Sequence, residues 1–249
     1  MIGRAFALAF GLWLVAAAAW ARPVELELIL AVDVSASVRA EEFDLQMHGY
    51  ADAFRTPQVL EAIKALGKDG IAVMMMQWAN PDQREVAVNW TRIYDEASAE
   101  GFAKAVDNTP RSFDMGQTAM GHALEYCLSL FGAGGFEGRR QVIDVSGDGY
   151  SNRGILPNGI RDAAIKRGVA INGLAITTKE KFLPGYYQRN VIGGPGSFVV
   201  AINSYDEFAS AIVAKLLREI RGAHVSEAPS FPSENEFAAI SRPRVTMAD

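Results

Sequence analysis

A carboxylate and two hydroxyls stand at alternate positions in the segment Asp33-Val34-Ser35-Ala36-Ser37. The segment follows an apolar run, Val24 through Val32, that is typical of a buried strand. Carboxylate and hydroxyl oxygens are hard donors, which suit Mg²⁺, Mn²⁺ or Ca²⁺ and not zinc or copper. Asp and Ser also cap helices, so the segment by itself favours a simple turn and helix cap over a metal site. A metal site needs further ligands from elsewhere in the chain.

Two later segments supply candidate ligands. Gly116-Gln117-Thr118 leads into a predicted helix, and Ser146-Gly147-Asp148-Gly149 closes a predicted strand. Open α/β sheets bind ligands at the carboxyl ends of their strands, where the strand order reverses. Because Asp33 and Asp148 both follow strands, we expect them to meet at that edge. Two carboxylates leave a divalent ion close to neutral, so an anionic partner group can complete its coordination.

The elements that must position these residues alternate along the chain. Apolar runs predict strands at 24–32, 71–76, 142–145, 169–176 and 197–202, and helical spacing predicts helices around 43–54, 59–66, 95–107, 118–131, 158–167 and 205–221. Val86, Val88 and Trp90 alternate with polar or small residues, as in an antiparallel edge strand. The expected fold class is therefore α/β, a doubly wound, mostly parallel six-stranded sheet with one antiparallel edge strand and helices on both faces.

Three segments divide the 249 residues. Residues 1–21 combine Arg4, an apolar stretch and a small-residue cleavage site, which predicts a cleaved signal peptide rather than an uncleaved anchor. Residues 22–222 form the predicted domain, and residues 223–249 a polar C-terminal tail with a short helix at 234–240. We therefore expect a periplasmic or secreted protein with no membrane span in the mature chain.

Composition argues against several classes of function. The net charge of −5 disfavours nucleic acid as a partner. The single cysteine, Cys127, cannot form an internal disulfide, and its apolar neighbours at helical spacing predict a buried free thiol. The sequence contains neither a Gly-x-Ser-x-Gly elbow nor a phosphate-binding Gly-x-x-x-x-Gly-Lys loop. These features favour a binding protein over an enzyme.

The three ligand segments resemble, in order and spacing, the metal-ion-dependent adhesion site of the von Willebrand factor type A (vWA) domain. The resemblance implies a vWA fold from the first strand to the last helix. It implies that Ser35 and Ser37 bind a metal directly and that Thr118 binds it directly or through water. Asp33 and Asp148 would act largely through coordinated waters. Ala36 stands where the family often has glycine, a small departure.

The resemblance also implies a function. A protein partner would present an Asp or Glu that completes the coordination of the ion, for which Mg²⁺ fits best and Mn²⁺ or Ca²⁺ are alternatives. Residues 185–196 are similar to an exported bacterial vWA-like family of unknown function. Two other readings stay open: a metal-dependent hydrolase or phosphatase with Asp33 as phosphoryl acceptor, and a structural module whose site is empty in the cell.

Residues 179–196 follow a predicted strand, so we expect a loop that borders the metal face. Tyr186, Tyr187 and Arg189 are residue types that often anchor interfaces, which makes them candidate partner-binding residues. The alternative is that the tyrosines pack under the loop and Arg189 faces solvent. Asp144 lies inside a strand and is expected to pair with a basic or backbone group. His122, one turn beyond Thr118, is expected to be an ordinary helix histidine.

Overall fold

A computed structural model describes residues 21–222. The strands are β1 (Arg22–Asp33), β2 (Ile71–Trp78), β3 (Arg84–Ile93), β4 (Phe136–Gly147), β5 (Ala170–Ile176) and β6 (Val199–Ile202). The helices are α1 (Ala40–Arg55), α2 (Pro57–Ala65), α3 (Glu96–Asp107), α4 (Met120–Leu130), α5 (Pro157–Lys166), α6 (Leu183–Asn190) and α7 (Phe208–Arg221). Short 3₁₀ helices at Gly67–Asp69 and Tyr205–Glu207 precede β2 and α7. Within residues 21–222, every helix is too short or too polar to cross a membrane.

The strands form one sheet in the order β3-β2-β1-β4-β5-β6. Neighbouring strands are parallel except for β2 and β3, which are antiparallel. This arrangement confirms the predicted fold class, with its single antiparallel edge strand. From β1 the chain moves outward through β2 and β3 on one side, and through β4, β5 and β6 on the other. The order therefore reverses between β1 and β4, which places the ligand crevice at their carboxyl ends.

Strand β1 is apolar because helices cover both faces of the sheet. Its residues from Leu28 to Val32 are all fully buried. Leu28, Leu30 and Val32 pack against α1, α3 and α7 on one face, and Ile29 and Ala31 pack against α4 on the other. Alternate residues of one strand thus serve two cores, as the two-residue repeat of a strand requires. Because both of its faces are buried, β1 is held in one position in the sheet, and so is its carboxyl end at Asp33.

Strand β4 starts at Phe136, earlier than the strand predicted at 142–145. Its polar first half pairs with residues 22–27 of β1. Arg140 in this half donates to the carbonyl oxygens of Glu219 and Ile220, near the C-terminal end of α7. The apolar pattern did not reveal the extension because backbone pairing, rather than burial of side chains, stabilises it.

The segment 179–196, predicted to be a loop, contains helix α6. Pro184 lies in its first turn, where a proline costs no helical hydrogen bond. The helix is stabilised by packing, since Leu183 and Tyr187 are buried in the core on that face of the sheet. The predicted signal peptide lies outside the described residues apart from Ala21. The predicted tail 223–249, with its short helix at 234–240, lies wholly outside them.

Candidate functional site

Asp33 ends β1 and is completely buried. Its Oδ1 atom accepts a hydrogen bond from the backbone N–H of Ser35 at 2.8 Å. The carboxylate therefore closes the turn that follows its own strand, as Asp commonly does. This turn places the hydroxyls of Ser35 and Ser37 on the same side of the chain, with 3.1 Å between their Oγ atoms.

Three loops bring the five predicted ligand residues together. The Oγ1 atom of Thr118, just before α4, lies 3.5 Å from Oγ of Ser35. Ser37 donates a hydrogen bond of 2.5 Å from its Oγ to Oδ1 of Asp148, just after β4. Asp33 joins the group through its bond to Ser35. The side chains form one continuous oxygen-rich cluster where the strand order reverses. Metal binding by this cluster stays a prediction.

Two residues that sequence reasoning missed hold these loops in place. Arg111 donates to the carbonyl oxygens of Val34 and Ser35 at 2.8 and 3.0 Å. Asn152 accepts from the N–H of Thr118 at 2.9 Å through Oδ1, and its own N–H donates to the Thr118 carbonyl oxygen at 3.0 Å. Both act on backbone atoms far away in the sequence, so no spacing pattern marks them.

The two carboxylates of the cluster lie in a low-dielectric environment. Asp33 and Asp148 are 0 % and 1 % exposed. Burial, and then the nearby charge of Asp148, raise the pKa of Asp33 to about 7, although the hydrogen bonds from Ser35 oppose the shift. The Oδ2 atom of Asp33 has no hydrogen-bond partner in the described part of the chain. A buried carboxylate oxygen without a partner is costly, and a bound cation removes that cost. The residues present therefore fit a metal ion.

The donor types indicate which metal fits. Ser35, Ser37 and Thr118 offer hydroxyl oxygens, and Asp33 and Asp148 offer carboxylates. Within residues 21–222, no three His, Cys, Asp or Glu side chains lie close enough together to hold a metal ion among themselves. A set of hydroxyls with only two carboxylates favours a hard cation that retains several waters, which is the preference of Mg²⁺.

Lys179, also missed from the sequence, reaches this cluster from the loop after β5. Its Nζ atom contacts the carbonyl oxygen of Ser37 and lies 3.4 Å from Oδ2 of Asp148. The Lys179 side chain is 49 % exposed, whereas that of Asp148 is fully buried. A surface ammonium thus reaches inward to a buried carboxylate of the cluster.

The predicted partner-binding residues lie in different environments. Tyr187 is fully buried in the core beneath α6, which corrects its assignment as a partner-contact residue. Burial raises the pKa of its phenol well above the ordinary value, and its hydroxyl lies close to Gly147, as Oδ2 of Asp33 does. Tyr186 is half-buried, and Arg189 is exposed on α6. Partner contact through these last two stays a prediction.

Asp144 takes part in a separate buried ion cluster. Nζ of Lys215, on α7, lies 2.9 Å from Oδ1 of Asp144 and 3.5 Å from Oε1 of Glu219. All three side chains are buried, and Asn172 donates to Oε1 of Glu219 at 3.0 Å. Burial, and then the charge of Asp144, raise the pKa of Glu219 to about 8. The prediction that Asp144 pairs with a basic group is confirmed.

Two other reactive side chains have structural roles. Nδ1 of His122 accepts a hydrogen bond of 3.3 Å from the N–H of Ile155, as expected for an ordinary helix histidine. Cys127 is a buried free thiol in the core, as predicted, and burial raises its pKa.

The strand order, with helices on both faces of the sheet, defines a vWA-like α/β domain. Proximal thread matrix protein 1 from the mussel byssus has a similar fold, with a TM-score of 0.60 and 16 % identity over 81 % of this chain and 48 % of that one. A vWA protein from Catenulispora acidiphila has a TM-score of 0.51 and 15 % identity over 79 % and 43 %. BatB from Bacteroides thetaiotaomicron has a TM-score of 0.50 and 16 % identity over 79 % and 100 %. This chain thus spans about half the length of the mussel protein.

The chain belongs to the family described as Protein of unknown function (DUF1194), which matches residues 23–224. The match extends from β1 through α7, so it includes the whole oxygen-rich cluster and Lys179. None of the curated proteins matches the sequence. In one structure of the mussel protein, the metal-ion-dependent adhesion site (MIDAS) motif is occupied by zinc. At such low identity these structures establish the fold of this chain and nothing further.

Proposed function

We propose that this protein is a vWA-type binding module that captures a protein partner through a divalent metal, most favourably Mg²⁺. The hydroxyls of Ser35, Ser37 and Thr118 would hold the ion directly, and Asp33 and Asp148 would hold it largely through waters. The metal, when bound, supplies positive charge to which an Asp or Glu of the partner can coordinate.

One observation carries this proposal. Five hard-oxygen side chains from three separate loops converge where the strand order reverses, and one carboxylate oxygen of Asp33 is buried without a hydrogen-bond partner in the described chain. Ordinary helix caps would satisfy their own backbone groups locally and would not place two buried carboxylates beside one another. Mutual repulsion of the carboxylates is a cost that a bound cation offsets.

The surface around the cluster supports docking of a partner. Of the large apolar side chains in residues 21–222, the three most exposed are Met115 (72 %), Leu156 (69 %) and Phe182 (81 %). Leu156 and Phe182 lie in the loops that follow β4 and β5, and Met115 lies in the loop between α3 and α4. Exposed apolar side chains of this size suit contact with a partner.

A groove next to the cluster offers room for a partner side chain. It encloses about 590 Å³, and its lining includes Ala36, Gly116 and Gln117, which are sequence neighbours of the ligand residues. Pro81 and Met115 add apolar wall, and Arg153 and Asp82 add charges of opposite sign. A partner loop that places a carboxylate on the metal would therefore be able to seat a neighbouring side chain here.

We further propose that residues 1–21 direct export to the periplasm or beyond, and that the protein binds without catalysing a reaction. The second proposal is supported by His122, a candidate base whose Nδ1 atom already accepts a hydrogen bond from the N–H of Ile155.

Metal binding is tested by titrating Mg²⁺ into the purified full-length chain and following its melting temperature. At a hundred times the dissociation constant, binding stabilises by about 2.7 kcal/mol, which raises the melting temperature of a domain of this size by roughly 5–10 °C. Asp33→Asn combined with Asp148→Asn should abolish the rise. Asp114→Asn, an exposed acid in the loop before Thr118, should leave it intact. An unchanged wild-type melting temperature would refute the metal site.

Partner capture is tested with immobilised protein and extract from the same compartment, with and without EDTA. A specific partner should be retained only when metal is present, and its retention should fail with the double Asn variant. Turnover of phosphate esters that depends on Asp33 would instead establish the hydrolase. Metal binding without chelator-sensitive capture would favour the structural module.

A further inference from the structure

Lys179 contacts two residues of the proposed metal site. Its Nζ lies 3.4 Å from Oδ2 of Asp148 and contacts the Ser37 carbonyl oxygen. Within residues 21–222, no other Lys or Arg forms an ion pair with a side chain of the oxygen-rich cluster. The lysine belongs to the loop after β5, whereas all five candidate ligands lie in loops connected to β1 and β4 or before α4.

The charges of the cluster explain why an ammonium is held there. Asp33 and Asp148 are both buried, and the charge of Asp148 disfavours that of Asp33. The guanidinium of Arg111 donates its hydrogen bonds to backbone carbonyls rather than to these carboxylates. Lys179 is therefore the cation that offsets the charge of Asp148 when no metal is present.

The side chain is also able to leave. It is 49 % exposed and consists of a flexible four-carbon stem with a compact charge. Its departure opens no part of the apolar core, because it enters the cluster from the surface. An ammonium and a divalent cation a few ångströms apart repel each other, so both cannot occupy their best positions at Asp148.

We propose that Lys179 is a tethered cation that competes with the metal for the negative charge of Asp148, and so sets the metal concentration at which the site fills. This inference rests on the proposed metal site. In the metal-free protein the ammonium holds the cluster together, and metal binding displaces it towards solvent at the rim of the site.

The test is isothermal titration calorimetry of the full-length chain with Mg²⁺ alone, and in parallel with Mn²⁺. Lys179→Met keeps the apolar stem and removes the charge. The variant protein should therefore bind Mg²⁺ about tenfold more tightly than wild type, as expected when a nearby positive charge is lost. Lys179→Arg keeps the charge and should stay within about threefold of wild type. Lys181→Met is the matched control, because it removes an equal charge from an exposed position two residues along the same loop.

A second measurement separates competition from a merely structural role. Without metal, Lys179→Met should melt at a lower temperature than wild type, because Asp148 then lacks its partner, and saturating Mg²⁺ should remove this difference. Equal affinity of Lys179→Met and wild type, or the same gain in Lys181→Met, would overturn the role of Lys179 while leaving the metal site standing. Absence of binding in all variants would overturn the metal site and this inference together.

Discussion

Replacing Lys215 with Met removes the only ammonium from the buried ion cluster beneath α7. The cluster contains one positive side chain and two acids, with Lys215 Nζ at 2.9 Å from Asp144 and 3.5 Å from Glu219. Polar groups from other elements face this cluster. Asn172 of β5 donates a hydrogen bond to Glu219, and the Gly173 carbonyl oxygen lies 3.4 Å from Nζ of Lys215. The Tyr50 phenol on α1 is close enough for Asp144 to raise its pKa. Methionine fills a similar volume, so the loss of charge dominates the effect.

The expected cost follows from burial. Both Lys215 and Asp144 are essentially inaccessible, and removing one partner of such a pair costs about 3–5 kcal/mol of folding free energy. The cost depends on pH. In the variant, burial holds the pKa of both acids above their unfolded values, so the folded state retains protons that the unfolded state releases as the pH rises above about 4. Stability is therefore lost with increasing pH, and the deficit should be larger at pH 8 than at pH 5.

The assay is urea unfolding of the full-length chain followed by circular dichroism at pH 5 and pH 8. Asp144→Asn should cost less than Lys215→Met, because it leaves Lys215 and Glu219 as a one-to-one pair, and the double variant should recover part of the loss. Glu100→Gln is the control, since its partly exposed pair with Arg55 is worth at most about 1 kcal/mol. A Lys215→Met deficit below 1 kcal/mol, or one that grows towards pH 5, would refute the reasoning.

Three further predictions concern buried positions. Gly147→Ala places a Cβ atom at 2.9 Å from Oδ2 of Asp33 and 3.0 Å from the hydroxyl of Tyr187, so it should cost about 1–3 kcal/mol by urea unfolding. Gly101→Ala, with nothing within 4 Å in the middle of α3, should instead stabilise by about 0.5–1 kcal/mol; equal effects would contradict the packing at Gly147. Tyr187→Phe removes a buried hydroxyl that lacks a partner in the described chain, so metal-free stability should stay the same or rise, and a loss above about 2 kcal/mol would show that the hydroxyl is bonded. Cys127 should react with Ellman's reagent only after unfolding, because its thiol is buried and its pKa is raised; rapid reaction of the native protein would contradict that burial.

The fold was predictable because its signals are local. The run from Ile71 to Met76 is apolar throughout, since a strand covered on both faces tolerates little else. Val86, Val88 and Trp90 alternate because β3 is the edge strand, with one neighbour and partly exposed faces. Residues 136–141 form a strand through backbone pairing rather than through burial of apolar side chains, so the apolar pattern did not predict that strand segment.

The candidate site was also only partly predictable from the sequence. Its five ligand residues were predictable because the chemistry limits them to a few residue types just beyond the ends of strands. Arg111 and Lys179 were not, since each acts across a large sequence separation on atoms that have no signature of their own. Tyr187 was misassigned for a different reason. Tyrosine is common both in interfaces and in cores, and the sequence did not reveal that residues 183–190 form a helix that packs onto the sheet.

The position of Lys215 near the end of the domain has a consequence for synthesis. Strands β1 to β6 all precede it, so a nascent chain can pair its sheet while Asp144 in β4 still lacks a cation. When α7 packs onto the sheet, Lys215 supplies the cation for Asp144. Chains that stop before residue 215 would lack that cation, so the domain reaches its full stability only after its last helix has been made.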